Sequence, residues 1–339
     1  MENLAWYILD AMLIIALIGL AWLTLTNHNL RQAIIFFIAF GLLLALVWFR
    51  LAAPDVALAE AAIGAGLSGA LFLTSLSQQK QTNKKDDPLK TTSTKFFDSF
   101  QNQFLNLLFV ILALVFSAAF VFALMEADPD RLSPTVLMNL EQTGVSNPVT
   151  GVLLDFRAYD TMLELAVLLS AALGIMALGP VKTHYYPSGD MLSSLSQWLV
   201  PILILFSGYI LWAGAHSPGG AFQAGALLAA AGVVLNLTGD RQVKLPNYWL
   251  LRGLTIGGIA GFLIIGLLLM LSGRAFLDFP SQWSGTLILF IESFATLSIS
   301  IILLIAFQSG EPQEWEHESK KLALKNTAGK TKIKGKTLC

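Results

Sequence analysis

The sequence predicts an all-α integral membrane protein, a polytopic bundle of about nine transmembrane helices with its N-terminus outside and its C-terminus cytoplasmic. Three observations predict it. Hydrophobic residues make up 55% of the 339 residues and charged residues only 13%, with a mean hydropathy of +0.67; a soluble domain carries about 25% charged residues. The apolar residues come in blocks that match the length of a membrane helix, about 20 residues. The basic residues fall mostly on one side of the resulting topology.

The apolar runs lie at about 4–25, 30–50, 55–77, 100–125, 158–179, 196–213, 219–238, 248–272 and 284–307. The first follows Met1-Glu2-Asn3, with no basic n-region, and is expected to be a retained helix and not a cleaved leader. Residues 78–99 are polar and lysine-rich and read as a linker. Residues 126–157 form a long polar loop containing Pro129, Pro134 and Pro148. Residues 308–339 form a charged tail, acidic at Glu311, Glu314, Glu316 and Glu318 and basic beyond, expected to be disordered. No internal repeat stands out.

Basic residues concentrate on the cytoplasmic side of membrane proteins. With the N-terminus outside, the inner segments hold Arg31, Lys80, Lys84, Lys85, Lys90, Lys95, Lys182, Arg241, Lys244 and Arg252, plus the tail lysines. The outer side holds only Arg50, Arg131, Arg157 and Arg274. An odd number of spans then puts the lysines of the tail inside. These features predict a multi-pass protein of the inner (plasma) membrane.

The sequence also argues against several functions. Its one cysteine is Cys339, so there is no internal disulfide and no cysteine-held metal cluster. That cysteine is the last residue, where a prenylation signal needs it fourth from the end. No phosphate-binding loop, dinucleotide fingerprint or histidine cluster for haem occurs. No basic patch suggests nucleic acid. The expectation is a protein without a cofactor that is not itself an enzyme. No lysine lies inside a predicted span, so the chain lacks the lysine–acid channel of complex I-type pumps.

Acidic residues within spans are costly to bury and point to function. Here they are Asp10, Glu60, Glu164 and Glu292, with Asp55 and Asp160 near helix starts. Each belongs to a helix starting outside, and by helical rise they lie on the order of 5–12 Å into the outer half. Facing inward, they would line a cation-attracting region open to the outside. The alternative is that each snorkels to the interface or pairs with a neighbour.

Asp160 and Glu164 share a helix face. Two carboxyls at that spacing interact, and Arg157, one turn before Asp160, would hold Asp160 ionised and leave Glu164 to take and release protons. The plainer alternative is a helix start, with Asp155 as cap and Arg157 on lipid phosphates. The segment Ala215-His216-Ser217-Pro218-Gly219-Gly220-Ala221-Phe222-Gln223 is of another kind. Pro218-Gly219-Gly220 between two apolar runs forms a tight turn whose backbone can closely approach another group. His216 brings an imidazole, which titrates near neutral pH, and Gln223 a buried polar group. The alternative is a short hairpin with an exposed histidine.

Three segments resemble a known family. Ala53-Pro54-Asp55-Val56-Ala57-Leu58-Ala59-Glu60-Ala61-Ala62-Ile63-Gly64 resembles a signature shared by two proteins, the C-terminal region of the large, A-type Mrp antiporter subunit and the D-type subunit of membrane-bound hydrogenases. Leu154 to Glu164 resembles the E-type element, which usually reads DFRGxDTLGE. His216 to Ala230 resembles the B-type Mrp subunit, whose signature runs close to HxPGGGFQGG. The order matches as well. Ala158, Leu163, Ala221 and Ala224 stand where the family commonly has glycine, while every ionisable position is kept.

The resemblance implies a D-like three-helix domain at 1–77, a linker at 78–99, an E-like two-helix domain at 100–180, a B-like four-helix domain at 181–307 and a tail at 308–339. It implies an accessory component of an Mrp-type multisubunit Na+/H+ antiporter, working with a separate antiporter-like large subunit and other Mrp-type or complex I-like subunits in a lipid bilayer. It implicates Glu60 and Glu164 in ion translocation, and the His216–Gln223 region in the function of the B-type element. Asp160, Asp55, His216, Glu292 and Asp10 complete the candidate ion path, with Arg157, Pro218, Gly219, Gly220 and Gln223 in support. Two other readings remain open: a membrane arm of a redox-driven complex, and a purely structural scaffold.

Overall fold

The computed structural model describes residues 2–73, 76, 95–126, 133–177, 190–238 and 248–308. The expected disordered tail lies outside these residues apart from Gln308, and so does most of the expected linker. The described residues are helical and contain no strand.

The helices are α1 (Glu2–Thr26), α2 (Leu30–Arg50), α3 (Pro54–Ala59), α4 (Lys95–Glu126), α5 (Ser133–Asn139), α6 (Pro148–Gly151), α7 (Ala158–Ala177), α8 (Asp190–Ala213), α9 (Ala221–Leu237), α10 (Tyr248–Leu271) and α11 (Ser284–Phe307). α3 continues as a π-helix over Glu60–Leu67, and α6 as one over Val152–Phe156. Among the described residues, seven stretches are long and apolar enough to cross a membrane: Leu4–Thr26, Leu30–Arg50, Pro54–Leu73, Ala158–Ala177, Leu192–Ala213, Trp249–Leu271 and Ser284–Phe307. Two of the expected spans coincide with shorter apolar helices, Val110–Phe122 and Ala221–Leu237.

The chain divides into two compact units, one of Met1–Gln78 with Leu140–Cys339 and one of Gln79–Asn139. In the second, α4 is a helix of 32 residues, and the Asn139 side chain donates to the Thr135 carbonyl of α5 at 2.8 Å.

In the first unit, local chemistry sets the helix ends. The Asn29 side chain caps α2 by accepting from the Arg31 N–H. Pro54 occupies the first turn of α3, where its missing N–H is not needed. Asn147 and Pro148 repeat the arrangement at α6. The centre of the unit is α11, flanked by α9 and α10, with α7 against α10 and α11, and α8 against α9. Phe262, Ile291, Ile299, Ile288 and Leu165 are fully buried there.

Membrane helices gain little from apolar burial against each other, since lipid is equally apolar, so close backbone packing and hydrogen bonds hold them. Gly225 packs on Ile299, and Gly258 on Ser298 and Leu165. Ser298 donates to the Thr255 carbonyl and Ser207 to the Ala224 carbonyl, both at 2.7 Å. A smaller cluster of Leu67, Val233, Leu304 and Phe307 joins the α3 segment to α9 and α11. Trp6, Trp22, Trp198, Leu205, Trp249 and Leu271 project outward, as lipid- or partner-facing side chains do.

Candidate functional site

The turn before α9 organises the site. Gly220 has φ +111° and ψ −172°, a conformation essentially restricted to glycine. Gly214 and Gly220 approach so closely that a Cβ on Gly214 would lie 2.7 Å from the Gly220 backbone. This tight reversal leaves the first N–H groups of α9 free of intrahelical partners and positively polarised.

Two buried carboxylates face this turn. Asp55, 8% exposed on α3, accepts the Gly219 N–H on Oδ1 at 2.9 Å, while Gln223 Nε2 donates to the Asp55 carbonyl at 3.0 Å. Glu292, 2% exposed on α11, faces the same turn. Its Oε1 lies 3.1 Å from the position a Cβ on Gly220 would take. Among the described residues its Oε2 has no hydrogen-bond partner. One turn therefore brings together Asp55, Gly219, Gly220, Gln223 and Glu292 from three distant stretches of sequence.

His216 precedes the same turn. Its Nδ1 is 3.1 Å from Ser146 Oγ, and its ring meets the edge of Trp212. Residues the sequence did not single out hold this loop. The N–H groups of Ser146 and Asn147 donate to the Ala215 carbonyl at 2.9 and 3.1 Å. Asn147 Nδ2 donates to the Gly214 and Ser217 carbonyls, and Thr150 Oγ1 to that of Gly214 at 2.6 Å. The Asn147-Pro148 pair is a readable helix start, but nothing local in it points to a loop 67 residues on.

The remaining acids stand apart from this cluster. Glu60 begins the π-helix, half-buried, with its carboxylate lying over Gly64. Arg157 pairs with Asp160, and Glu164 is exposed one turn further along α7. Asp10 pairs with Arg50, Nε to Oδ1 at 3.1 Å, and that guanidinium also lies over the Trp6 ring. Outside the spans, burial and the nearby Asp278 push the Asp155 carboxyl above its ordinary range. The two π-helical stretches overlap the first and second signature segments; wide turns of this kind recur at functional sites. No cluster of metal-ligating side chains occurs among the described residues.

Three family models match the sequence in succession. MbhD, the model of the D-type MBH subunit, matches residues 15–81, and MbhE, that of the E-type MBH subunit, matches 103–197. The domain related to the MnhB subunit of Na+/H+ antiporter matches 191–310. The fold is similar to a chain in the structure of an Mrp complex from Dietzia sp. DQ12-45-1b, with a TM-score of 0.67 and 22% identity over 89% of this chain. The match covers 35% of that chain, so the present sequence corresponds to about a third of its length. No curated protein matches. The family resemblance read from the three motifs is borne out by these matches.

Proposed function

We propose that this chain is an accessory membrane subunit of an Mrp-type cation/proton antiporter, helping to form the ion path with a separate antiporter-like subunit. One observation carries the reading: the D-type and MnhB-related segments, far apart in sequence, are joined at the Gly219 turn by the Asp55 carboxylate. Such a bond is expected where two neighbouring modules form one functional wall.

The protein lies in the plasma membrane with its N-terminus outside, about nine spans and a cytoplasmic tail. It has no enzymatic activity of its own. Glu60 and Glu164 form the acid relay, with Asp160 paired to Arg157 beside Glu164 and His216 as a further group on the path. Glu164 is exposed on α7, and a carboxylate facing lipid is costly. That face suits a helix of the antiporter-like partner, and Na+ exchanges for H+ along the path so formed.

The test is cation-driven proton movement in inverted vesicles carrying the whole complex. Glu164→Gln is expected to assemble and to lose exchange; an assembled variant that exchanges normally refutes the relay. A second reading, the membrane arm of a redox-driven complex, is favoured by the description of two matching models as MBH subunits. Mild detergent pull-down separates the two: antiporter-like subunits without redox proteins support the first, and iron–sulfur or hydrogenase subunits the second.

A further inference from the structure

An open cleft of about 360 Å³ lies beside the turn, lined among others by Trp212, His216, Ser281, Gln282, Thr286 and Leu289. Two of its lining residues, Leu289 and His216, lie within four residues of Glu292 and of Gly220, which faces the Glu292 carboxylate. Glu292 follows Leu289 by one turn of α11, on the order of 4.5 Å along the axis. Gly220, whose missing side chain leaves room for Glu292 Oε1, follows His216 by four residues.

The other polar groups of the turn have partners. Asp55 Oδ1 is bonded to Gly219, Gln223 Nε2 to the Asp55 carbonyl, and Thr296 Oγ1 donates to the Ala221 carbonyl at 3.5 Å. Glu292 Oε2 is different: it is buried, it belongs to an acid within a span, and among the described residues it has no partner. An unpaired buried oxygen is costly, and an acid within a membrane helix marks an ion or proton path. Na+ needs a shell of oxygens to replace its water. A proton needs only one oxygen, and one is what this site offers.

We propose that the cleft is the mouth of a proton path that ends on Glu292 Oε2, opening on the face that carries the start of α11, with His216, Gln282 and Thr286 at the mouth and Leu289 between mouth and acid. This deepens the antiporter-subunit reading and rests on it. The step is proton transfer alone: hydronium in the cleft gives H+ to the carboxylate, leaving water and a neutral carboxyl, and the return step reverses it. In the expected topology this face is the cell exterior.

The test uses the whole complex with Cys339→Ser as background. Thr286→Cys in intact cells is expected to react with a membrane-impermeant maleimide; reaction only in inverted vesicles, or none, overturns the outward opening. Glu292→Gln is expected to assemble and lose at least about tenfold in proton exchange, as when a proton-carrying group is removed. Glu292→Asp should retain part of the rate. An assembled Glu292→Gln complex that exchanges at the normal rate overturns the path but leaves the antiporter reading standing, because Glu164→Gln tests that reading separately. Should Glu292→Gln fail to assemble, Leu289→Trp decides: slowed exchange supports the path, and unchanged exchange overturns it. The maleimide arm reads the cleft even if the complex proves to be redox-driven.

Discussion

The Gly219 N–H donates to Asp55 Oδ1 at 2.9 Å, joining residues 164 apart in sequence. Asp55 is buried, so loss of this bond leaves a polar N–H without a partner. Asp55→Ala is expected to lower the stability of the detergent-solubilised protein by about 2 kcal/mol. Asp55→Asn, which keeps an acceptor oxygen, should cost less. Thermal unfolding of the two variants checks the order.

Gly220 has φ +111° and faces Glu292 Oε1. Gly220→Ala is therefore strained in its backbone and also crowds the carboxylate. Backbone strain of this kind is worth about 1–3 kcal/mol. The expected result is reduced thermal stability with a larger loss of exchange than Asp55→Asn shows.

A Cβ on Gly64 would occupy the place of the Glu60 carboxylate, the mobile end of a flexible side chain. Gly64→Ala should thus leave folding and assembly nearly intact while displacing the acid. Exchange in vesicles is expected to fall several-fold; an unchanged rate would remove Glu60 from the relay.

Asp10 is held by Arg50, whose guanidinium also covers Trp6. Both partners are partly exposed, so the pair is worth about 0.2–1 kcal/mol. A double-mutant cycle on Asp10→Asn and Arg50→Gln should return a coupling in that range. Antiport by assembled Asp10→Asn would then show whether Asp10 carries ions or only ties α1 to α2.

Asp155 is half-buried, and Asp278 adds to the upward push on its carboxyl. A carboxyl raised in the folded state binds more protons there than when unfolded. Its penalty is absent below the ordinary value of 3.8 and grows as pH rises through the folded pKa, being fully present above it. Asp278→Asn removes the repulsion, at the loss of an exposed ion pair with Arg274 that is worth little. Unfolding midpoints should rise above those of the unmodified protein at neutral pH, with the difference fading in strong acid.

Some of this was legible without coordinates. The low charge content and apolar runs foretold membrane helices. Asn29, Pro54 and Pro148 mark helix starts by rules that act within a few residues. The PGG turn announced itself because only glycine takes the φ that Gly220 takes. Other features were hidden. The π-helical turns at Glu60 and Val152 leave no mark in hydropathy, since adding one residue to a turn changes neither composition nor length appreciably.

What the sequence determined by itself is therefore the helical membrane character, the order of the three family-like segments and the identity of the ionisable residues. Each of these rests on composition or on contacts within one turn. Tertiary packing alone decided which acids meet. It set Asp55 on an N–H group of the Gly219 turn and Glu292 beside the same turn, paired Asp10 with Arg50, and left Glu164 facing outward. The physical reason is that a buried carboxylate needs a donor, and these donors come from segments far away in the chain, which only the packed helices bring within reach.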